Sequence, residues 1–131
     1  MATTELKPNS ASYPVLDDAL AVLRQNQTRW ARVAALYGRL AELAPSPVID
    51  LNHAVAVAMA EGPEIGLIEI DALEDPRLAG YHLFHAARAD LLRRLGRTEE
   101  AGAAYRRARE LTGNRAEQAF LDRRLSELSG Y

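Results

Sequence analysis

Apolar residues recur every three or four positions along most of the chain, and short breaks rich in Gly and Pro separate the periodic stretches. This spacing is typical of amphipathic α-helices. The residues between Thr28 and Ala44 illustrate it, because Trp30, Tyr37 and Leu40 fall on one helical stripe. Read in this way, the sequence predicts seven helices, at about 14–26, 28–44, 48–61, 64–73, 78–95, 98–112 and 115–128.

The predicted breaks coincide with residues that end helices for known physical reasons. Proline lacks an amide hydrogen and disfavours helix in the residue before it, and glycine tolerates left-handed backbone. Breaks of this kind are predicted at 45–47 (Pro-Ser-Pro), 62–63 (Gly-Pro), 75–76 (Asp-Pro), 96 (Gly) and 113–114 (Gly-Asn).

A repeat of about 34 residues, the length typical of a tetratricopeptide unit, runs through the predicted helices. Gly62 lies one repeat length before Gly96, and Tyr37 lies two repeat lengths before Tyr105. In a tetratricopeptide repeat, a glycine precedes the second helix, which then carries a small, an aromatic and a small residue in that order. Ala101, Tyr105 and Ala108 have this order after Gly96. The sequence thus predicts an all-α fold, a tetratricopeptide-like right-handed solenoid of helical hairpins in one domain (13–131). Its expected parts are repeats at 14–47, 48–81 and 82–115, a capping helix at 115–128 and a flexible segment at 1–12.

Composition narrows the classes of function. The chain of 131 residues has no Cys, which excludes disulfides and thiolate chemistry, and its formal charge is −2. Residues 1–87 carry −5 and residues 88–131 carry +3, which indicates either two differently charged faces or simply a solvated helix surface. No apolar run of about 18 residues and no secretory signal pattern is present, so we expect no membrane association and a cytoplasmic location.

Two long segments carry a family resemblance: PSPVIDLNHAVAVAMAEGPEIGLIEIDAL and LAGYHLFHAARADLLRRLGRTEEAGAAYRRARELTGNRAEQAFLDRRL. The region from about residue 28 to 128 resembles the C-terminal tetratricopeptide-like extension of a group of bacterial extracytoplasmic-function (ECF) RNA polymerase sigma factors. The resemblance implies a helical-repeat fold and a protein partner, which would be a sigma-factor region or another transcription protein. Nothing before residue 28 resembles the sigma regions, so promoter recognition is not implied.

The expected binding site is the concave groove of the solenoid. In tetratricopeptide arrays the first helix of each repeat lines this groove, which accepts an extended segment or a helix. We expect Asn52 to bond a partner's backbone and Arg93 and Arg94 to clamp a carboxylate, above an apolar floor. The candidate groove residues are Asn52, Ala56, Met59, Leu83, Ala86, Asp90, Arg93 and Arg94.

Several other functions compete with this interpretation. A phosphate loop, a nucleophile elbow and a His-Glu-x-x-His helix are all absent from the sequence, so we expect neither catalysis nor a cofactor. A zinc site at His82 and His85 with His53 is an alternative to simple packing roles. Self-association through the groove is a second alternative. Direct contact with nucleic acid is a third, and it would use the basic concentration Arg93, Arg94, Arg97, Arg106, Arg107 and Arg109.

Overall fold

The chain folds into helices joined by short turns. A computed structural model describes the backbone of residues 12–129 and the side chains from residue 18 onward. In order, the helices are α1 (Ser12–Leu43), α2 (Pro47–Glu61), α3 (Pro63–Asp71), a 3₁₀ helix (Pro76–Gly80), α4 (His82–Arg94), α5 (Thr98–Leu111) and α6 (Arg115–Leu128). Over residues 12–129 no strand is present, which confirms the all-α prediction. The predicted flexible segment 1–12 lies outside these residues, apart from Ser12.

Most of the predicted breaks occur where Gly and Pro stand. Pro47 and Pro63 occupy the first turns of α2 and α3, where a missing amide hydrogen costs nothing. Gly62 and Gly96 have φ of 102° and 77°, a conformation that residues with a Cβ rarely adopt. These glycines therefore end α2 and the α4 region sharply, and the predicted helices over 48–61, 98–112 and 115–128 are confirmed to within one residue at each end.

The predicted break near residue 27 is wrong, because α1 is one continuous helix of 32 residues. The spacing that separates Gly62 from Gly96 places Thr28 at the corresponding earlier position. A β-branched residue resists positive φ, so no turn forms there. The Thr28 hydroxyl instead donates to the Arg24 carbonyl at 3.0 Å, as a helix-interior threonine commonly does. Residues 14–47 consequently form no hairpin.

The predicted helix over 78–95 begins too early. Asp75 accepts a hydrogen bond from the Arg77 amide at 2.9 Å and starts the 3₁₀ helix. Tyr81 then adopts extended backbone, with φ of −99° and ψ of 113°, and α4 starts only at His82. The apolar periodicity that includes Leu78 thus continues across a change of helix type, because Leu78 is buried although it lies outside α4.

Helices pack mainly against their neighbours along the chain. Two hairpins, α2–α3 and α4–α5, turn at Gly62 and Gly96, while α1 lies against α2 and α6 against α5. The main core is shared by the five helices from α2 through α6. Ile70, Leu92 and Tyr105 lie in it and are almost completely buried. A smaller apolar cluster fixes α1 to α2, so that α2 contributes to both.

Candidate interaction surface

The groove positions predicted on α2 differ in their exposure. Asn52 is half-buried and Met59 is exposed, but only 1% of the Ala56 surface is accessible. Ala56 packs with Val57 against Ala34 and its α1 neighbours. Ala56 is therefore a core residue, and its predicted place in an open groove is wrong. The cause is the second half of α1, which covers this face of α2.

On α4, the candidates Asp90, Arg93 and Arg94 form one ionic cluster. The Asp90 carboxylate lies 2.5 Å from Arg93 Nη2 and 3.1 Å from Arg94 Nη2. Arg93 Nε also donates to the Tyr105 hydroxyl at 3.2 Å. The hydrogen bonds from Asp90 and Tyr105 raise the pKa of Arg93, and burial raises the pKa of Tyr105. An incoming carboxylate would have to compete with Asp90 for both arginines.

Two of the predicted groove positions meet across the hairpins. Arg94 Nη1 on α4 lies 3.7 Å from Met59 Sδ on α2, although the two residues are far apart in the sequence. The structure thus brings Met59 into one patch with the Asp90 cluster. Among the described residues, no hydrogen bond joins the Asn52 side chain to that patch.

The remaining candidates, Leu83 and Ala86, lie at the other end of α4, beside α6. They line a cleft of about 110 Å³ together with His82, Glu117, Phe120 and Leu121. Leu83 and Phe120 are both exposed at its edge, and the Arg124 guanidinium lies 5.0 Å from the Phe120 ring centroid. The groove residues predicted from the sequence do not include Phe120 and miss this cleft. The available signal was the repeat itself, since Phe120 lies one repeat length after Ala86.

A hydrogen-bonded group closes the polar side of the cleft. Thr112, which is buried, donates to Glu117 Oε1 at 2.5 Å, and His82 Nε2 lies 3.2 Å from Oε2. The bonds from Thr112 and His82 lower the pKa of Glu117. Asn114 caps α6 by accepting from the Glu117 amide at 3.0 Å. Glu117 therefore ties α4 to the α5–α6 turn, which is a structural role.

The three histidines occupy separate environments. His53 packs over Gly38, whose added Cβ would lie 3.5 Å from His53 Nε2. His82 contacts Glu117, and His85 Nε2 lies 2.8 Å from the Ala79 carbonyl. Among the residues described, no three His, Asp or Glu side chains are placed to hold a metal ion. The structure gives each histidine a packing or hydrogen-bonding partner within the fold.

The C-terminal arginines are largely engaged by acidic neighbours. Arg97 pairs with Glu100 at 2.8 Å and Arg109 with Asp122 at 2.6 Å. Arg107 pairs with Glu110 at 3.1 Å. These contacts, with the Asp90 cluster, neutralise much of the basic concentration that suggested contact with nucleic acid.

Comparison with known proteins gives one informative relative. The chain is 43% identical over 106 residues to an uncharacterized protein of Rhizobium meliloti (strain 1021). The match covers 81% of this chain but only 25% of the relative, so the chain spans about a quarter of that protein's length. No protein-family model and no solved structure matches the chain. Within the described residues, no helix combines the length and apolar character needed to cross a bilayer.

Proposed function

We propose that the chain is a non-catalytic protein-interaction module with a tetratricopeptide-like solenoid fold. The contact between Met59 and Arg94 carries the proposal, because it makes groove positions of successive hairpins, 35 residues apart, neighbours on one surface. The two positive-φ glycines, one repeat length apart, support the same repeat. The proposed binding surface extends from this patch to the cleft at Leu83 and Phe120.

The proposed partner is a sigma-factor region or another bacterial transcription protein, met in the cytoplasm. The family resemblance of residues 28–128 motivates this choice. The exposed apolar edges at Leu83 and Phe120 suit a helix or extended segment that presents an apolar residue. A carboxylate about two turns further along that segment would compete with Asp90 for Arg93 and Arg94. The partly matched Rhizobium relative is consistent with a module that functions beside other segments.

A binding measurement with a purified pair of sigma regions tests this proposal. The variant Leu83→Ser/Phe120→Ser removes both apolar edges of the cleft, and we expect at least about tenfold weaker binding, since each buried side chain contributes about 1 kcal/mol or more. The matched control Leu20→Ser/Leu23→Ser removes two exposed apolar residues on α1 that lie outside both the cleft and the Asp90 cluster. Binding by calorimetry should be unchanged in the control. No binding by the wild type, or equal loss in both variants, would reject the proposed surface for this probe.

A further inference from the structure

One side of α1 is both apolar and basic. We call it the α1 outer face and define it by Val22, Arg29, Arg32, Leu36, Arg39, Leu40 and Leu43. These residues are three, four or seven positions apart or adjacent, and all of them are exposed. Leu40 borders the side formed by Trp30, Ala34 and Tyr37, which packs on α2. Leu36 is 68% exposed and Leu43 is 80% exposed. An open depression of about 640 Å³ follows part of this face.

Among the described side chains, the arginines of this face have no acidic partner in an ion pair. Residues 19–41 contain four Arg and no acidic residue. No ion pair among the described side chains engages Arg29, Arg32 or Arg39, whereas Arg88, Arg93 and most other arginines of α4–α6 have acidic partners. The α1 outer face therefore presents exposed leucines beside unpaired cations, which suits an acidic apolar counterpart.

The same molecule carries such a counterpart on α3. We call it the α3 outer face and define it by Glu64, Ile65 and Ile68 of α3 together with Glu61, the exposed last residue of α2. Ile68 is 64% exposed, while Gly66 on the opposite side packs against Ala58 of α2. Residues 61–75 contain six acidic residues and no basic residue, and only Asp71 and Asp75 of these form ion pairs in the described part of the chain.

The two faces match in spacing as well as in charge. Leu36 and Leu40 are one helical turn apart, as are Ile65 and Ile68, so each apolar pair is about 5–6 Å apart between Cβ atoms. Arg32 lies one turn before Leu36 and Arg39 lies between the two leucines, while Glu61 and Glu64 both precede the isoleucines. A pairing of α1 with α1 from a second copy would bring arginines together instead, which is unfavourable.

We propose that the occupant of the α1 outer face is a second copy of this chain, bound through its α3 outer face. The contact joins different surfaces of the two molecules, so it generates a reciprocal dimer, a ring or a short chain. Because α3 has only nine residues, the contact is small, and we expect weak association with a Kd on the order of 10–100 μM. This inference uses other surfaces than the proposed partner site and stands or fails separately from it.

Charge reversal combined with mixing tests the proposal in the full chain. The α1 variant Arg32→Glu/Arg39→Glu and the α3 variant Glu61→Arg/Glu64→Arg should each self-associate about tenfold more weakly in sedimentation velocity. An equimolar mixture should recover association, because each reversed face then meets its complement on the other variant. The wild type should also dissociate between about 0.05 M and about 0.5 M salt, where screening shortens the range of charge interactions.

The control Arg106→Glu/Arg115→Glu changes the net charge by as much as the α1 variant does. Both of its side chains, on α5 and α6, are exposed and form no ion pair among the described residues. It should associate as the wild type does, and circular dichroism should show equal helix content in all variants. A wild type that stays monomeric at about 1 mM, association that survives both reversals, or a mixture that does not recover would overturn the proposal. Binding of an added acidic peptide or of anionic vesicles by a monomeric wild type would likewise overturn it.

Discussion

Gly66 is the residue at which α2 and α3 approach most closely. A Cβ added there would overlap the Ala58 Cβ and lie 2.7 Å from Ala58 Cα, which is backbone and has little freedom to move. Small side chains on both helices thus determine the geometry of the first hairpin. A glycine inside an otherwise helical pattern commonly has such a packing reason.

Gly66→Ala should lower the free energy of unfolding by about 1–3 kcal/mol, since the clash outweighs the roughly 1 kcal/mol that alanine gains in a helix. The matched substitution is Gly102→Ala in α5, where the added Cβ meets only the Arg106 guanidinium at 3.3 Å. That flexible side chain can move, so Gly102→Ala should stabilise by about 0.5–1 kcal/mol. Urea unfolding of both variants checks the pair. Equal stabilisation by both would contradict the close α2–α3 packing.

Glu117 makes the stability depend on pH in the acidic range. Its pKa in the folded protein is lowered by the hydrogen bonds from Thr112 and His82. A carboxylate with a lowered folded pKa contributes stability above its unfolded pKa of about 4.3, and this contribution is lost as the pH falls through the folded pKa. We therefore expect the wild type to lose more stability than Glu117→Gln between pH about 5.5 and about 3. Urea unfolding at both pH values measures this difference, and parallel losses in the two proteins would assign the acid sensitivity to other carboxylates.

Among the helices, α1 shows the effect of having no glycine at the position where the repeat predicts a turn. Thr28 stands one repeat before Gly62, and without a residue that accepts positive φ the helix continues through it. Residues 18–29 are nearly all exposed, with Leu20, Val22 and Leu23 among the exposed apolar residues. The first half of α1 therefore contributes little to the core, although it is helical.

The substitution Thr28→Pro tests this separation. Proline removes the hydrogen bond to the residue 24 carbonyl and clashes with it, which costs a helix about 3 kcal/mol. We expect circular dichroism at 222 nm to show a loss of helix N-terminal to residue 28, while the midpoint of thermal unfolding changes little. Thr28→Ala is the control and should retain the full signal. A large fall in the midpoint would show that the first half of α1 packs more firmly than its exposure indicates.

The predicted helix ends are accurate where particular residues mark them. Where Gly or Pro stands, as at Gly62 and Pro47, the predicted and observed ends agree closely because the backbone constraint is local. The error at residue 27 arose from extending the repeat to a position without such a residue. The error at Ala56 has a different origin, since the face of α2 that α1 covers depends on how two helices pack. Local periodicity does not contain that information.

For the whole molecule, the net charges of the two parts of the sequence do not show where unpaired positive charge lies on the surface. The first part of the chain, residues 1–87, sums to −5, yet the exposed arginines without a recorded partner include Arg29, Arg32 and Arg39 in that part. Residues 88–131 sum to +3, but their arginines are mostly paired with acids one turn away or on the next helix. Surface potential here is set by ion pairing within and between helices, which a sum along the sequence does not record.

Because the molecule has two separate apolar clusters, we expect its parts to unfold separately. Leu92 is fully buried in the main core, whereas Trp30 is half-buried in the smaller α1–α2 cluster. Leu92→Ala should cost about 2–5 kcal/mol and lower amide protection from α2 to α6, because all five helices share that core. Trp30→Ala should lower protection in α1 and leave α4 and α5 unchanged, since helices here contact mainly their chain neighbours. Native-state hydrogen exchange distinguishes these outcomes. If Trp30→Ala reduced protection in α5 as much as in α1, the chain would unfold as one cooperative unit, and the nearest-neighbour arrangement of its helices would not govern its stability.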